Sequence, residues 1–201
     1  NYNNNNSSNV TILLGTGLGT FGTASNFAVG SGALGLVSKD FNGDNLSDLA
    51  VVNYASNNIS ILIGSGLGNF SLPTNISCGS SPRFISSADF NSDGNLDIVV
   101  AVGGANQVSV FMGTGAGTFG TANNYGVNSM PIWTEAADFD ADGDIDLVVA
   151  NINSNNVSVL LNNGNGTFAS QITYATPNGP RSISVNDFNM DGKLDFAVAN
   201  S

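Results

Sequence analysis

The stretch DFDADGDIDLVVAN, residues 138–151, sets aspartates at five alternate positions and follows them with a run that is apolar on both faces. Carboxylates packed this closely repel one another, and a hard divalent cation is the partner that relieves the repulsion. Related stretches read DFNGDNLSDLAVVN (40–53), DFNSDGNLDIVVAV (89–102) and DFNMDGKLDFAVAN (187–200), successive starts lying 49 residues apart. Together the four loops hold every aspartate of the chain, and Glu135 is the one other acid. A fixed period of this size marks a repeat architecture whose unit is one supersecondary element.

The period extends beyond the loops. Val10, Ile59, Val108 and Val157 form one column; Phe21, Phe70, Phe119 and Phe168 form another; Phe27, Ile76, Tyr125 and Tyr174 a third. Within one unit four short strands are expected: 83–89 before the acidic loop, 97–102 after it, 108–112, and a last one near 124–127. Runs this short, rich in Val and Ile and bounded by Gly and Asn turns, are strands. The strand after each loop needs cover on both faces. Radially stacked sheets supply that cover, and a linear stack of sheets is the alternative. The expected fold class is therefore all-β: a β-propeller of four-stranded antiparallel blades, four repeats forming one domain over residues 1–201.

Asn1-Tyr2 resembles Asn53-Tyr54, and Asn200-Ser201 falls at the same point of the cycle. The chain is thus expected to start with strands three and four of a blade and to stop after strands one and two. Two outcomes stay open. The halves pair and close a four-bladed ring, or the chain is a slice of a longer propeller or array.

Composition narrows the partners. The formal charge of −11 belongs to the loops, and four divalent ions would bring it to about −3. Charged residues make up 9% of the chain, against roughly 25% in ordinary domains, so the surface must be built from Asn, Ser, Thr and Gly. No basic patch is present, and no nucleic acid partner is expected. No apolar run approaches the ~20 residues of a membrane span, so no membrane insertion is expected. Any targeting segment has been removed or lies upstream of the Asn/Ser tract at the start. Cys78 is the single cysteine, and Val29 and Val127 occupy its column, which marks it as a small core residue.

The nine-residue loops read as Ca²⁺ sites, up to four. Positions 1, 3 and 5 offer side-chain oxygens: Asp40, Asn42 and Asp44; Asp89, Asn91 and Asp93; Asp138, Asp140 and Asp142; Asp187, Asn189 and Asp191. Position 7 offers a backbone carbonyl (Leu46, Asn95, Asp144, Lys193), and position 9 a carboxylate (Asp48, Asp97, Asp146, Asp195). That meets the six to seven oxygens Ca²⁺ prefers. Glycine at position 6 (Gly94, Gly143, Gly192) permits the positive φ needed to wrap an ion. Asn45 holds that place in the first loop, which predicts a distorted or weaker first site. Calcium at millimolar concentration is an extracellular condition, so secretion or surface display is expected.

The DFNxDGxxD-type loops, the LVVAN-type strands after them and segments such as NNVSVLLNNGNGTF (155–168) resemble the FG-GAP/VCBS repeats, found in the propeller of integrin α-subunits and in secreted bacterial proteins. The resemblance spans essentially the whole chain. It implies a propeller with Ca²⁺ between strands one and two of each blade, and adhesion or recognition more often than catalysis. Asn45 and the repeat count depart from the integrin pattern, which has seven blades.

Catalysis is not expected. The chain has no histidine, and paired carboxylates could come only from the metal loops. The phosphate-loop look of GTGLGTFG (15–22) is a repeated turn, because no helix follows it. Where the repeats differ, just before strand one, Arg83 and Arg181 share a column, as do Phe84 and Trp133, with Met130 nearby. These five form the candidate ligand surface, for a glycan or an extracellular protein. The rival reading packs Phe84 and Trp133 between blades and uses the arginines to cap strands. The sequence therefore points to a calcium-stabilised adhesion module. Its alternatives are a self-assembling subunit of an extracellular filament or surface layer, and an accessory domain of a secreted polysaccharide-acting enzyme.

Overall fold

The computed structural model describes residues 8–201. Its opening strands, β1 (Ser8–Ile12) and β2 (Ser25–Val29), form a two-stranded sheet. The first complete blade runs β3 (Ala33–Lys39), β4 (Asp48–Asn53), β5 (Asn58–Leu62) and, after the small ribbon β6 (Gly64–Gly66) and β7 (Asn69–Phe70), β8 (Thr74–Ser77). The second comprises β9 (Pro82–Ala88), β10 (Asp97–Val102), β11 (Gln107–Phe111) and β12 (Asn123–Gly126). The third comprises β13 (Pro131–Ala137), β14 (Asp146–Asn151), β15 (Asn156–Leu160) and β16 (Ile172–Ala175), and the last two strands are β17 (Pro180–Asn186) and β18 (Asp195–Asn200). Each complete blade is an antiparallel meander. The strands lie within a residue or so of their places in the sequence reading.

Two-sided burial of the second strand explains the stacking. All six residues of β4, β10 and β14 are buried. On β10, Ile98, Val100 and Val102 join Ala50, Val52, Ile59 and Ile61 of the first blade, while Val99 joins Leu147 and Val149 of the third. Every core layer is thus shared by two blades. Each such side chain contributes about 1.5–3 kcal/mol when removed from water. β18 is only partly buried, since it is covered on one face.

The first strands pack in a row, β3 on β9, β9 on β13 and β13 on β17. This is the radial arrangement of a propeller, and the chain forms a slice of one. Among the described residues the four-bladed ring is not formed. The main contacts between elements of the described residues run along the row, and β1–β2 and β17–β18 stand at its two ends as separate two-stranded sheets. Asn1-Tyr2, used in the sequence argument for this closure, lie outside the described residues. Among the described residues no helix is long and apolar enough to cross a membrane.

Cys78 is 3% exposed in the layer between the first two blades, beside Val52 and Val102. Burial pushes its thiol up to about 12. The native protein should therefore resist iodoacetamide near neutral pH and react once urea opens the blade. Labelling of the folded chain would place Cys78 elsewhere.

Candidate metal centre

Each acidic loop joins the first two strands of a blade and is folded by its own aspartates. The position-1 carboxylate accepts the position-6 amide: Asn45 to Asp40 at 2.7 Å, Gly94 to Asp89 at 2.8 Å, Gly143 to Asp138 at 3.0 Å and Gly192 to Asp187 at 2.8 Å. The position-5 carboxylates of Asp44, Asp93, Asp142 and Asp191 accept the amides of Leu46, Asn95, Asp144 and Lys193, which places position 7 on the same turn. In the first, second and fourth loops Asn42, Asn91 and Asn189 also donate to Asp44, Asp93 and Asp191.

Position 6 is left-handed in every loop, with φ of 64° at Asn45, 86° at Gly94, 97° at Gly143 and 84° at Gly192. The first loop keeps this turn but differs at position 1. There Asp40 Oδ1 accepts the amides of Gly43 at 2.7 Å and Asn42 at 3.2 Å, while Asp89, Asp138 and Asp187 accept the position-5 amide at 3.2 Å. Asn enters the left-handed region more readily than other non-glycine residues, and the bond to Asp40 is as short as in the other loops. A second left-handed residue, unforeseen from sequence, lies at position 4: Gly43, Ser92, Ala141 and Met190. Only the first loop has glycine there, which offsets the loss of glycine at position 6.

The position-9 carboxylates fasten the loop to the blade. Asp48, Asp97 and Asp146 are fully buried. One oxygen accepts the amide of Phe41, Phe90 or Phe139, each at 2.9 Å, and the other the amide of Gly64, Gly113 or Asn162, each at 2.7 Å. Asp195 is half-buried and has the first type of bond, from Phe188 at 3.1 Å. The donors 16 residues downstream were not recognised from the sequence. Their signal is the column Gly15, Gly64, Gly113, with Asn162 in the third blade.

In the third loop the carboxylates of Asp138, Asp140 and Asp146 offer oxygens within 4.8 Å of one another. Asp142 and Asp144 are not part of that group. The other loops carry a neutral Asn where Asp140 stands, so among the described residues only this loop gathers three carboxylates. Burial pushes the Asp146 carboxyl above the usual range; the amides of Asn162 and Phe139 oppose this, and the charges of Asp140 and Asp142 add to it. Asp97 is raised in the same way, by burial first, with Asp93 and Asp89 as the like charges. A cluster of hard oxygens around uncompensated charge fits a divalent cation such as Ca²⁺.

The glycine-rich turns lie against these loops. A Cβ on Gly115 would stand 2.3 Å from the Asn95 side chain, and one on Gly164 would stand 2.6 Å from that of Asp144. From the second blade, Gly117 donates its amide to Phe41 O in the first. The glycine-rich turns of the second and third blades thus cover acidic loops, whereas Gly17 and Gly19 of the equivalent segment 15–22 have nothing beside them.

The candidate ligand residues divide. Phe84 and Trp133 stack on each other across neighbouring blades, with centroids 3.8 Å apart, and Trp133 donates to Glu135 at 3.1 Å. The Arg83 guanidinium sits 4.5 Å over the Tyr54 ring. Arg83 and Met130 both crowd Gly103, where a Cβ would lie 3.2 Å from each. Arg181 is exposed on β17, two blades away from Arg83. For the aromatic pair, interblade packing describes the contacts.

No curated protein matches the chain. Solved structures share its fold at low identity. BBS1N, in complex with ARL6DN, aligns with a TM-score of 0.60 and 14% identity over 87% of this chain and 52% of its own. A streptogramin B lyase aligns at 0.59 and 15% identity, over 90% and 60% respectively. The V. cholerae biofilm matrix protein Bap1 aligns at 0.55 and 17%, over 96% and 34%. The chain spans roughly half the length of BBS1N. FG-GAP-like repeats match at 40–100, 89–149 and 138–198, each window running from one acidic loop through the strand after the next. With most of its length matched in this way, the chain belongs to the FG-GAP-like repeat family.

Proposed function

We propose that this chain is a calcium-stabilised, non-catalytic binding module that works outside the cell and recognises a glycan or an extracellular protein. The observation that carries the reading is the convergence of Asp138, Asp140 and Asp146 beside a loop whose amides already hold its shape. Asp140 and its counterparts Asn42, Asn91 and Asn189 would complete each ion's shell with the carboxylates at positions 1, 5 and 9. A bound Ca²⁺ supplies positive charge where like-charged carboxylates face one another, and up to four ions fit the four loops.

Calorimetric titration with calcium tests the metal half. Gly143→Val should weaken one site roughly tenfold, because a β-branched residue in the left-handed region costs about 1–2 kcal/mol. Its Cβ meets nothing within 4 Å, so the effect is conformational and not a clash. Asn45→Gly should tighten the first site by less than about threefold, given how well Asn tolerates this region. Unchanged affinity in Gly143→Val would separate loop shape from metal binding.

The recognition half rests on an uncharged surface, with Arg83, Tyr54 and Met130 gathered at the end of the blades opposite the acidic loops. Asn, Ser and Thr suit sugar hydroxyls, so binding should change little between low and physiological sodium chloride. A glycan array at saturating calcium, run with the parent and with Arg83→Ala, checks this. Loss of the parent's signal in the variant supports the face; hits of equal strength in both place recognition elsewhere.

A further inference from the structure

We propose that the fold prepares Asn165 for spontaneous deamidation, with the Gly166 amide as nucleophile and Thr167 as the group that assists it. Asparagine followed by glycine is the pair most open to this reaction, because no Cβ shields the attacking nitrogen. The chain has four such pairs, at 42–43, 163–164, 165–166 and 178–179. The fold treats them differently.

In three of the four, the glycine amide is tied to a side-chain oxygen. Gly43 donates to Asp40 at 2.7 Å, Gly164 to Asn162 at 3.1 Å and Gly179 to Asn155 at 2.8 Å. Attack there must first break that bond, which slows the reaction by about tenfold. Among the described residues the Gly166 amide has no acceptor. Its counterpart in the second blade, Gly117, donates to Phe41 O at 2.9 Å. The matching oxygen in the next blade, Phe90 O, is taken instead by the Asn162 side-chain amide at 2.8 Å. The nucleophile of this one pair is therefore free.

The electrophile is prepared as well. Asn165 is exposed, and its Oδ1 accepts the Thr167 hydroxyl at 2.6 Å and the Thr167 amide at 3.0 Å. The Asn163 side chain in turn donates to that hydroxyl at 2.9 Å, which polarises it further. When Gly166 N bonds to Asn165 Cγ, negative charge develops on Oδ1, and both donors already point at it. Gly166 N gives up its proton, the side-chain nitrogen gains one and leaves as ammonia, and a five-membered succinimide remains. Water then opens the ring at either carbonyl, giving aspartate or isoaspartate. Leu18, Leu67 and Ala116 hold this column elsewhere, so the site belongs to the third blade. Glycine at 166 is itself required by packing, since its φ is 75° and a Cβ would collide with Met112.

The turn touches two acidic loops. Gly164 lies against Asp144 of the third, and Gly166 against Asn91 of the second. A carboxylate at 165 adds like charge beside both. The isoaspartyl product also lengthens the backbone of the turn that the Asn163 amide closes on Thr167 O at 2.8 Å. Conversion at 165 thus loosens this cover as the molecule ages.

The test is incubation of the folded protein at mildly alkaline pH and fixed calcium. Peptide mapping by mass spectrometry, with isoaspartate counted by enzymatic methylation, gives the rate at each pair. Asn165 should convert about tenfold faster than Asn42, Asn163 and Asn178, and the four rates should converge in urea. Thr167→Val should slow Asn165 by about tenfold with unchanged circular dichroism, less than the hundredfold or more of an enzyme's oxyanion donor. Thr167→Ser should keep the parent rate. Equal rates at the four pairs of the folded chain would overturn the proposal. So would an Asn165 that reacts faster in urea than in the native state, or a parent-like rate in Thr167→Val.

Discussion

Excess EDTA should lower the thermal unfolding midpoint of this chain by about 10 °C or more. One ion held at a hundred times its dissociation constant stabilises the native state by about 2.7 kcal/mol. For a chain of this size each kcal/mol shifts the midpoint by roughly 2–4 °C. A single occupied loop therefore contributes about 5–11 °C, and two or more carry the shift past the bound. The fully buried Asp97 and Asp146 make the effect steep, because without a cation their charges face Asp93 and Asp89 in one loop and Asp140 and Asp142 in the other. Heating scans with calcium and with chelator give the answer directly, and coincident midpoints would remove metal from the account of stability.

The second large effect separates equivalent residues of different blades. Asp97→Ala should cost about 4 kcal/mol in urea unfolding at matched calcium, since it leaves the amides of Phe90 and Gly113 buried without acceptors, at about 1–3 kcal/mol each. Asp195→Ala, which removes one bond from an exposed Phe188, should cost about 1 kcal/mol. Both substitutions delete the same metal-loop position, so the difference between them reports the tie to the third strand. Equal costs would mean that this tie adds nothing.

These contrasts show which parts of the fold could be read from sequence. Strand boundaries were legible because LVVAN-type runs can sit only between two covering layers, and β10 and β14 are buried on both faces as that requires. Positions 1, 3, 5 and 9 were legible because oxygen-bearing side chains recur there. The left-handed turn at position 4 was not, since Ser92, Ala141 and Met190 carry no mark of it and only Gly43 does. The grip of Gly113 on Asp97 was hidden by 16 residues of intervening chain. Closure was ambiguous because a half-blade has the same pairing register whether its complement belongs to its own chain or to another.

A core made of layers shared between neighbours has a consequence for how order is lost. No blade owns a hydrophobic interior, so melting one exposes two layers, and an inner blade can open only by unzipping those beside it. Stability then resembles that of a one-dimensional chain of coupled units. Amide exchange should be slowest along β10, which has a full layer on each face, and should quicken toward β18, where only one face is covered. The dry second strand of the middle blade is, in this sense, the molecule's slowest clock.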